Sequence, residues 1–132
     1  MVMDSVFGSP AGNGLGSTTW PLELWAKTNP SEPSQYHALI CHLIDVAAVA
    51  DALWHLVFPS ETKRRISLMA GSASCDAVGT WIAFLSGLHD IGKCSPAFQK
   101  KSRQRQKVLL QHGFRFPHGV SAHHGRVTAK VI

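Results

Sequence analysis

An all-α fold of four or five helices is what this sequence predicts, on three observations. Apolar residues recur at helical spacing through residues 35–57. Residues 74–88 are apolar nearly all round, the pattern of a helix at the centre of a domain. No stretch alternates cleanly enough to read as a convincing strand. The 132 residues fit one modest domain, able to bury a real core with little margin. With 45% apolar and 16% charged residues, most of the chain is expected to be globular.

The elements follow in order. Residues 1–19 are rich in Gly, Ser and Thr without periodicity and read as a flexible leader, so the helical domain is expected over 20–132. Pro30 and Pro33 disfavour helix just before each of them, which makes 29–34 a loop. Ser34 then caps a helix over 35–57 with the apolar stripe Ile40, Leu43, Ala47, Ala50, Trp54 and Val57. Ser60 caps a short helix that ends at Gly71, with a solvated basic part at 63–65. The central helix covers 74–88, His89 and Asp90 stand at its C-terminal end, and Gly92 lets the chain turn. Ser95 and Pro96 open an amphipathic, basic helix over 96–111, since Pro suits the first helical position. Residues 113–119 form a loop, and a helix restarts within 120–132. The four tryptophans, Trp20, Trp25, Trp54 and Trp81, read mainly as core.

Composition narrows the function classes. The formal charge of +5 suits a polyanionic partner. Three cysteines, Cys41, Cys75 and Cys94, with no C-x-x-C, weigh against a disulfide framework or zinc ribbon and point to a reducing, cytoplasmic compartment. Cys94 reads as a small buried residue near the site. The first residues lack the basic and apolar regions of a secretory signal. The longest apolar stretch, 39–58, contains His42, Asp45, Asp51 and His55, and so reads as a buried helix with no membrane role.

The chemistry lies in the histidines and their acid neighbours. His42 and Asp45 are three apart on a helix side that otherwise reads as buried, close enough to touch. Leaving them buried without partners would cost on the order of a few kcal/mol. Alone, His42 would read as a core histidine bonded to a carbonyl. With Asp45 and the His89–Asp90 doublet it reads as a metal ligand. The helix dipole accounts for a histidine at a C-terminus but disfavours an acid there, so Asp90 needs another reason. Mixed imidazole and carboxylate donors suit Fe, Mn, Co or Ni, and tolerate Mg. The run Lys100, Lys101, Arg103, Arg105 and Lys107 reads as a wet helix face, able to track phosphates beside the doublet.

The pattern resembles the HD phosphohydrolase superfamily. The strings "YHALICHLIDVAAVADALW" (36–54) and "GLHDIGKCSPAFQ" (87–99) narrow the resemblance to the HD nuclease domain of the type I CRISPR nuclease-helicase. "PHGVSA" (117–122) and "HHG" (123–125) are similar to later motifs of that family. The resemblance implies an HD helical bundle that cleaves single-stranded DNA, as endonuclease or exonuclease, with water activated by one or two divalent metals. It implies His42, His89, Asp90, His118, His123 and His124 as metal ligands. Lys93 and Asp90 are then the catalytic residues, with Lys93 holding the scissile phosphate or stabilising its developing negative charge. Asp45 is expected to orient an imidazole from behind. The implied partners are the CRISPR surveillance complex and a helicase domain or chain. The pattern departs where His118 and His123 are only five apart, which weighs against His123 and His124 as the family's pair. His118 reads either as a ligand or as a surface-loop residue. A late family Asp is not in the sequence, so a partial, truncated HD domain is expected. Two other readings stay open. One is an HD phosphohydrolase of nucleotides or other phosphate esters. The other is a non-catalytic remnant that binds DNA or the surveillance complex.

Overall fold

The computed structural model describes residues 20–32, 34–119 and 121–132, so the expected leader at 1–19 lies outside the described residues. Helices carry most of the described chain: α1 (Trp20–Glu23), α2 (Leu39–Ala52), α3 (Ser60–Met69), α4 (Cys75–Gly87), α5 (Pro96–Gln99), α6 (Arg103–Gln111) and α7 (His124–Val131). The all-α expectation holds, with two corrections: the described residues carry seven α-helices where four or five were expected, and a small hairpin joins them. β1 (Trp25–Thr28) and β2 (Tyr36–Ala38) pair antiparallel, in the register Trp25 opposite Ala38 and Thr28 opposite Tyr36. Strands of three and four residues are too short to print an alternating pattern.

The hairpin moves the start of the first long helix. Its loop closes through Asn29 N–H to the Gln35 carbonyl (3.0 Å) and Ser31 N–H to Asn29 Oδ1 (3.0 Å), an Asx turn. Residues 36–38 are therefore extended, and α2 begins at Leu39 instead of Gln35. Ser34 caps no helix; its hydroxyl meets Glu32. The Leu39 N–H, which a cap would otherwise serve, donates to the Leu24 carbonyl at 2.7 Å and ties α2 to the segment before β1.

α2 continues into a π-helical turn, Leu53–Val57, that carries the fully buried Trp54. Gly79 of α4 makes room for it, because a Cβ there would overlap the indole ring. Ser60 begins α3 without capping it, since Pro59 occupies the cap position. Ser74 does cap α4, its hydroxyl accepting from Ala77 N–H at 3.2 Å. The expected helix over 96–111 is two helices. Ser102 leaves helical geometry (φ −99°, ψ 105°) and caps α6 through Arg105 N–H.

The most extensive contact joins α2 and α4. At its lower end, a core of Ala26, Leu39 and Leu43 packs with Leu24 and Ile91. This core sits between β1, the start of α2 and the chain leaving α4, directly under the candidate site. The other side of α4 corrects an expectation. Trp81, Phe84 and Leu85 are exposed, so among the described residues α4 is covered on one side only. Trp81 is thus no core residue, while Trp25 and Trp54 are; the side chain of Trp20 is outside the described residues. Val49 and Leu56 on α2 and its π turn are also exposed, which corrects the buried reading of the helix side that carries His42 and Asp45. Residues Leu39–Val57 are long and apolar enough to cross a membrane by length and composition alone.

Candidate metal centre

α4 ends at Gly87, and the chain tightens into a 3₁₀ helix, Leu88–Cys94. A 3₁₀ helix has three residues per turn, so side chains three apart eclipse. That geometry stacks Lys93 on Asp90, with Lys93 Nζ 2.6 Å from Asp90 Oδ2. Both residues are buried. Ile91 points the other way, into the core below.

Asp90 is the hub. His42 Nε2, from the first turns of α2, lies 3.2 Å from Oδ2, and His89 Nε2 lies 3.1 Å from the same oxygen. From α7, His124 Nε2 stands 3.4 Å from Oδ1. Three imidazoles and one ammonium thus surround one carboxylate. Burial pushes the Asp90 carboxyl up, but the Lys93 hydrogen bond and charge, with His89 and His42, pull it down further, below the ordinary Asp value. Asp90 is therefore an anion. His124 is moved the other way from protonation. Burial, with the positive charge of His123, Lys93 and Lys101, lowers its pKa against the opposing pull of Asp90.

The donor set fits a divalent metal. One donor atom each from His42, His89 and Asp90 lies within 4.8 Å of the others. His89 Nδ1 is 2.9 Å from the Ser86 carbonyl, which can only accept, so Nδ1 carries the proton. In a neutral ring the lone pair of Nε2 then points at a carboxylate oxygen. Two facing lone pairs repel unless a proton or a metal ion lies between them, and the backbone bond behind the ring is the usual arrangement of a metal-binding histidine. His124 Nδ1 is buried without a hydrogen-bond partner among the described residues. Neutral imidazoles and an anionic carboxylate are the forms in which these groups ligate a metal.

The turn is fastened from two sides. On one, the fully buried Gln99 of α5 accepts from Trp25 N–H (3.2 Å) and donates to the carbonyls of Trp25 (2.9 Å) and Lys93 (2.8 Å). Its own carbonyl accepts from the Trp25 indole at 3.2 Å. Gln99 thus bolts β1 to the Lys93 backbone. On the other side, Gly92 N–H donates to Thr128 Oγ1 of α7 at 2.9 Å. Neither Gln99 nor Thr128 was singled out as a site residue by sequence reasoning. The "SPAFQ" string at 95–99 was the only signal for the first, and nothing marked the second.

The remaining expected residues fall outside this cluster. His118 is exposed on the loop before α7 and makes no contact with the cluster among the described residues. His123 Nδ1 accepts from Gly125 N–H at 3.2 Å and caps α7, while its ring lies on His124 (centroids 4.5 Å apart). Asp45 is exposed and meets His37 Nε2 at 3.1 Å, so the ring it orients is His37, next to His42. Cys94 is exposed, not buried. Along the basic run, Lys101, Arg103 and Lys107 are exposed and Lys100 is half-buried. Lys101 Nζ sits over the Phe98 ring, 4.9 Å from its centre. Arg105 turns inward. It is buried, pairs with Glu23 and stacks on Tyr36 at 3.6 Å, so it belongs to the fold and not to the wet face.

Comparison with known proteins gives the family. The family model described as the HD domain of Cas3 matches residues 25–132. The CRISPR-associated endonuclease/helicase Cas3 of Thermus thermophilus is 37% identical over 98 residues, covering 72% of this chain and 10% of that protein. Its counterpart of the same description in Escherichia coli is 39% identical over 83 residues, covering 61% of this chain and 9% of the relative. The chain therefore spans about a tenth of the length of these relatives. No solved structure matches significantly. A match over residues 25–132, with the doublet and its ring of imidazoles inside it, makes this chain a member of the Cas3 HD-domain family.

Proposed function

We propose that this chain carries a metal-dependent nuclease centre that cleaves single-stranded DNA in CRISPR interference. The observation that supports it best is the convergence of His42, His89 and Asp90, three donors within 4.8 Å drawn from two helices 47 positions apart in sequence, His42 to His89. The relatives' description as endonuclease/helicase supports the reaction class. His42, His89 and Asp90 hold the metal, Fe, Mn, Co, Ni or Mg, and His124 stands next to them as a further ligand. When bound, such an ion supplies a water of lowered pKa and a Lewis acid for a phosphoryl oxygen.

The chain's own residues do the rest. His89 is locked by Ser86, so its Nε2 presents a lone pair without first reorienting. Lys93 holds Asp90 as an anion before any metal arrives. Were Asp90 taken up by a metal, the Lys93 ammonium, 2.6 Å from Asp90 Oδ2, would be free to meet a developing phosphate charge. Lys101, exposed beside Phe98, and then Arg103 and Lys107, lead a polyanion toward the turn. A surveillance complex and a helicase domain or chain are the expected partners, in the cytoplasm.

The test offers single-stranded DNA and nucleoside phosphates side by side, with Mn²⁺ or Ni²⁺. The expected result is DNA cleavage that Asp90→Asn abolishes. Hydrolysis of the small esters alone would assign the centre to nucleotide chemistry. No hydrolysis of either by a metal-loaded chain would leave a binding remnant.

A further inference from the structure

We propose that Thr128 is a positioning residue of this centre: by accepting the Gly92 N–H it seats α7 on the 3₁₀ turn and sets the His124 ring against Asp90. The proposal rests on the metal reading above for its functional meaning, and on independent geometry for its structural part. Gly92 is buried and its φ is negative, so the left-handed freedom of glycine is not what the position uses. The reason is space. A Cβ on Gly92 would overlap the His124 carbonyl oxygen and lie 2.6 Å from Thr128 N and 2.7 Å from Thr128 Oγ1. The backbone of α7 therefore rests on the bare Cα of residue 92.

That contact has one directional bond. Gly92 N–H is buried, and the Thr128 hydroxyl at 2.9 Å is its partner. A buried N–H left unpaired is costly, so the bond resists sliding of α7 along the turn. Thr128 and His124 are four apart, one above the other on the same face of α7. Fixing Thr128 on residue 92 thus fixes His124 over residue 90, where its Nε2 is found 3.4 Å from Asp90 Oδ1. The Phe98 ring closes the other side of His124, with centroids 5.4 Å apart. Thr128 touches neither Asp90 nor its other partners in any hydrogen bond or ion pair among the described residues. Its influence on the centre runs through His124.

Thr128→Val keeps the shape and removes the hydroxyl. Calorimetric titration of the full chain with Mn²⁺ is expected to show affinity weaker by about 10-fold, the lower end for a residue that orients a ligand. Thr128→Ser keeps the hydroxyl and is expected to bind within about twofold of the parent. The loss should vanish in a His124→Ala background, because a residue that acts through His124 has nothing left to position. An equal loss in both backgrounds, or parental affinity in Thr128→Val, overturns the proposal. Should Thr128→Val not fold, a folded Thr128→Ser with about 10-fold weaker binding overturns it as well. If the parent binds no Mn²⁺, the metal reading fails, and the positioning claim is decided without metal. Thr128→Val should then shift the ¹⁵N resonance of His124 Nε2 and leave in place that of His112, exposed at the C-terminal end of α6; unmoved His124 signals would sink it.

Discussion

Two stretches of this chain carry histidines and glycines in similar density, and the fold treats them differently. The turn Leu88–Cys94 is fastened by Gln99 from one side and Thr128 from the other, and its Asp90 gathers three imidazoles. The loop that holds Gly113, His118 and Gly119 lies exposed, with both glycines at positive φ and open space around them. The difference teaches that a histidine becomes a candidate ligand through what holds its neighbours. His89 is itself half-exposed, yet the Ser86 carbonyl fixes its tautomer and the buried Asp90 fixes its target. His118 has the same chemistry without either support.

The sharpest way to break this contrast is to remove the hub. Asp90→Asn keeps the shape of the side chain and deletes the charge that the imidazoles and Lys93 share. Mn²⁺ affinity is expected to fall by about 100-fold or more, because a charged ligand is lost and not merely an orienting group. His118→Ala is expected to stay within about twofold of the parent, as a change at a residue outside the cluster. Equal losses in the two variants would show that the loop histidine reaches the centre. Asp90→Asn also strands a buried ammonium, so thermal stability falls alongside affinity, by about 3 kcal/mol.

Glycine offers the next contrast. Gly92→Ala puts a methyl where the α7 backbone sits, and rigid backbone cannot yield as a flexible side chain can. A loss of about 3 kcal/mol is expected in denaturant unfolding, the upper range for overpacking. Gly119→Ala meets no atom and pays only for φ +74°, about 1 kcal/mol. The two substitutions would also separate in function: the first displaces His124 from Asp90 and weakens Mn²⁺ binding, the second does neither. Comparable losses would mean that α7 is not seated on residue 92 as the geometry has it.

Much of this was legible beforehand, for reasons tied to particular residues. Ser74 and Pro96 are local signals, and α4 and α5 start where they stand; the apolar periodicity of α2 marked the helix but not its first turn, which the hairpin takes. His42, His89, Asp90 and Lys93 sit in strings whose order carries their pairing. What was not legible depends on distant partners. The hairpin consists of strands too short to alternate, and it is tied through Trp25 to Gln99, 74 positions away. Gly92 reads as a turn glycine in one dimension; only the approach of α7 shows that it is a seat. Arg105 reads as one cation of a wet run, and only Glu23 and Tyr36 reveal it as buried. The close spacing of His118 and His123 told against the later pair as a unit. The fold divides that pair, using His123 as a cap and turning His124 toward Asp90.

The smallest expected effect extends the contrast from metal to DNA. Lys101 and Arg115 are both exposed cations, one over Phe98 beside the turn and one in the loop. If single strands run past the turn, Lys101→Ala removes a phosphate contact and Arg115→Ala does not. Each phosphate contact on a single strand contributes about 0.7 to the slope of log affinity against log salt. Anisotropy titrations with a fluorescent oligonucleotide, in chelator to prevent cleavage, should therefore show a slope smaller by about 0.7 for Lys101→Ala and unchanged for Arg115→Ala. Arg105→Ala serves as the internal control. Its cation is spent on Glu23, so it should lower stability without moving the slope. A slope change in Arg115→Ala equal to that in Lys101→Ala would put the strand over the loop. Held or not, the loop would then matter to binding, and the organisation of the turn would bear on chemistry alone.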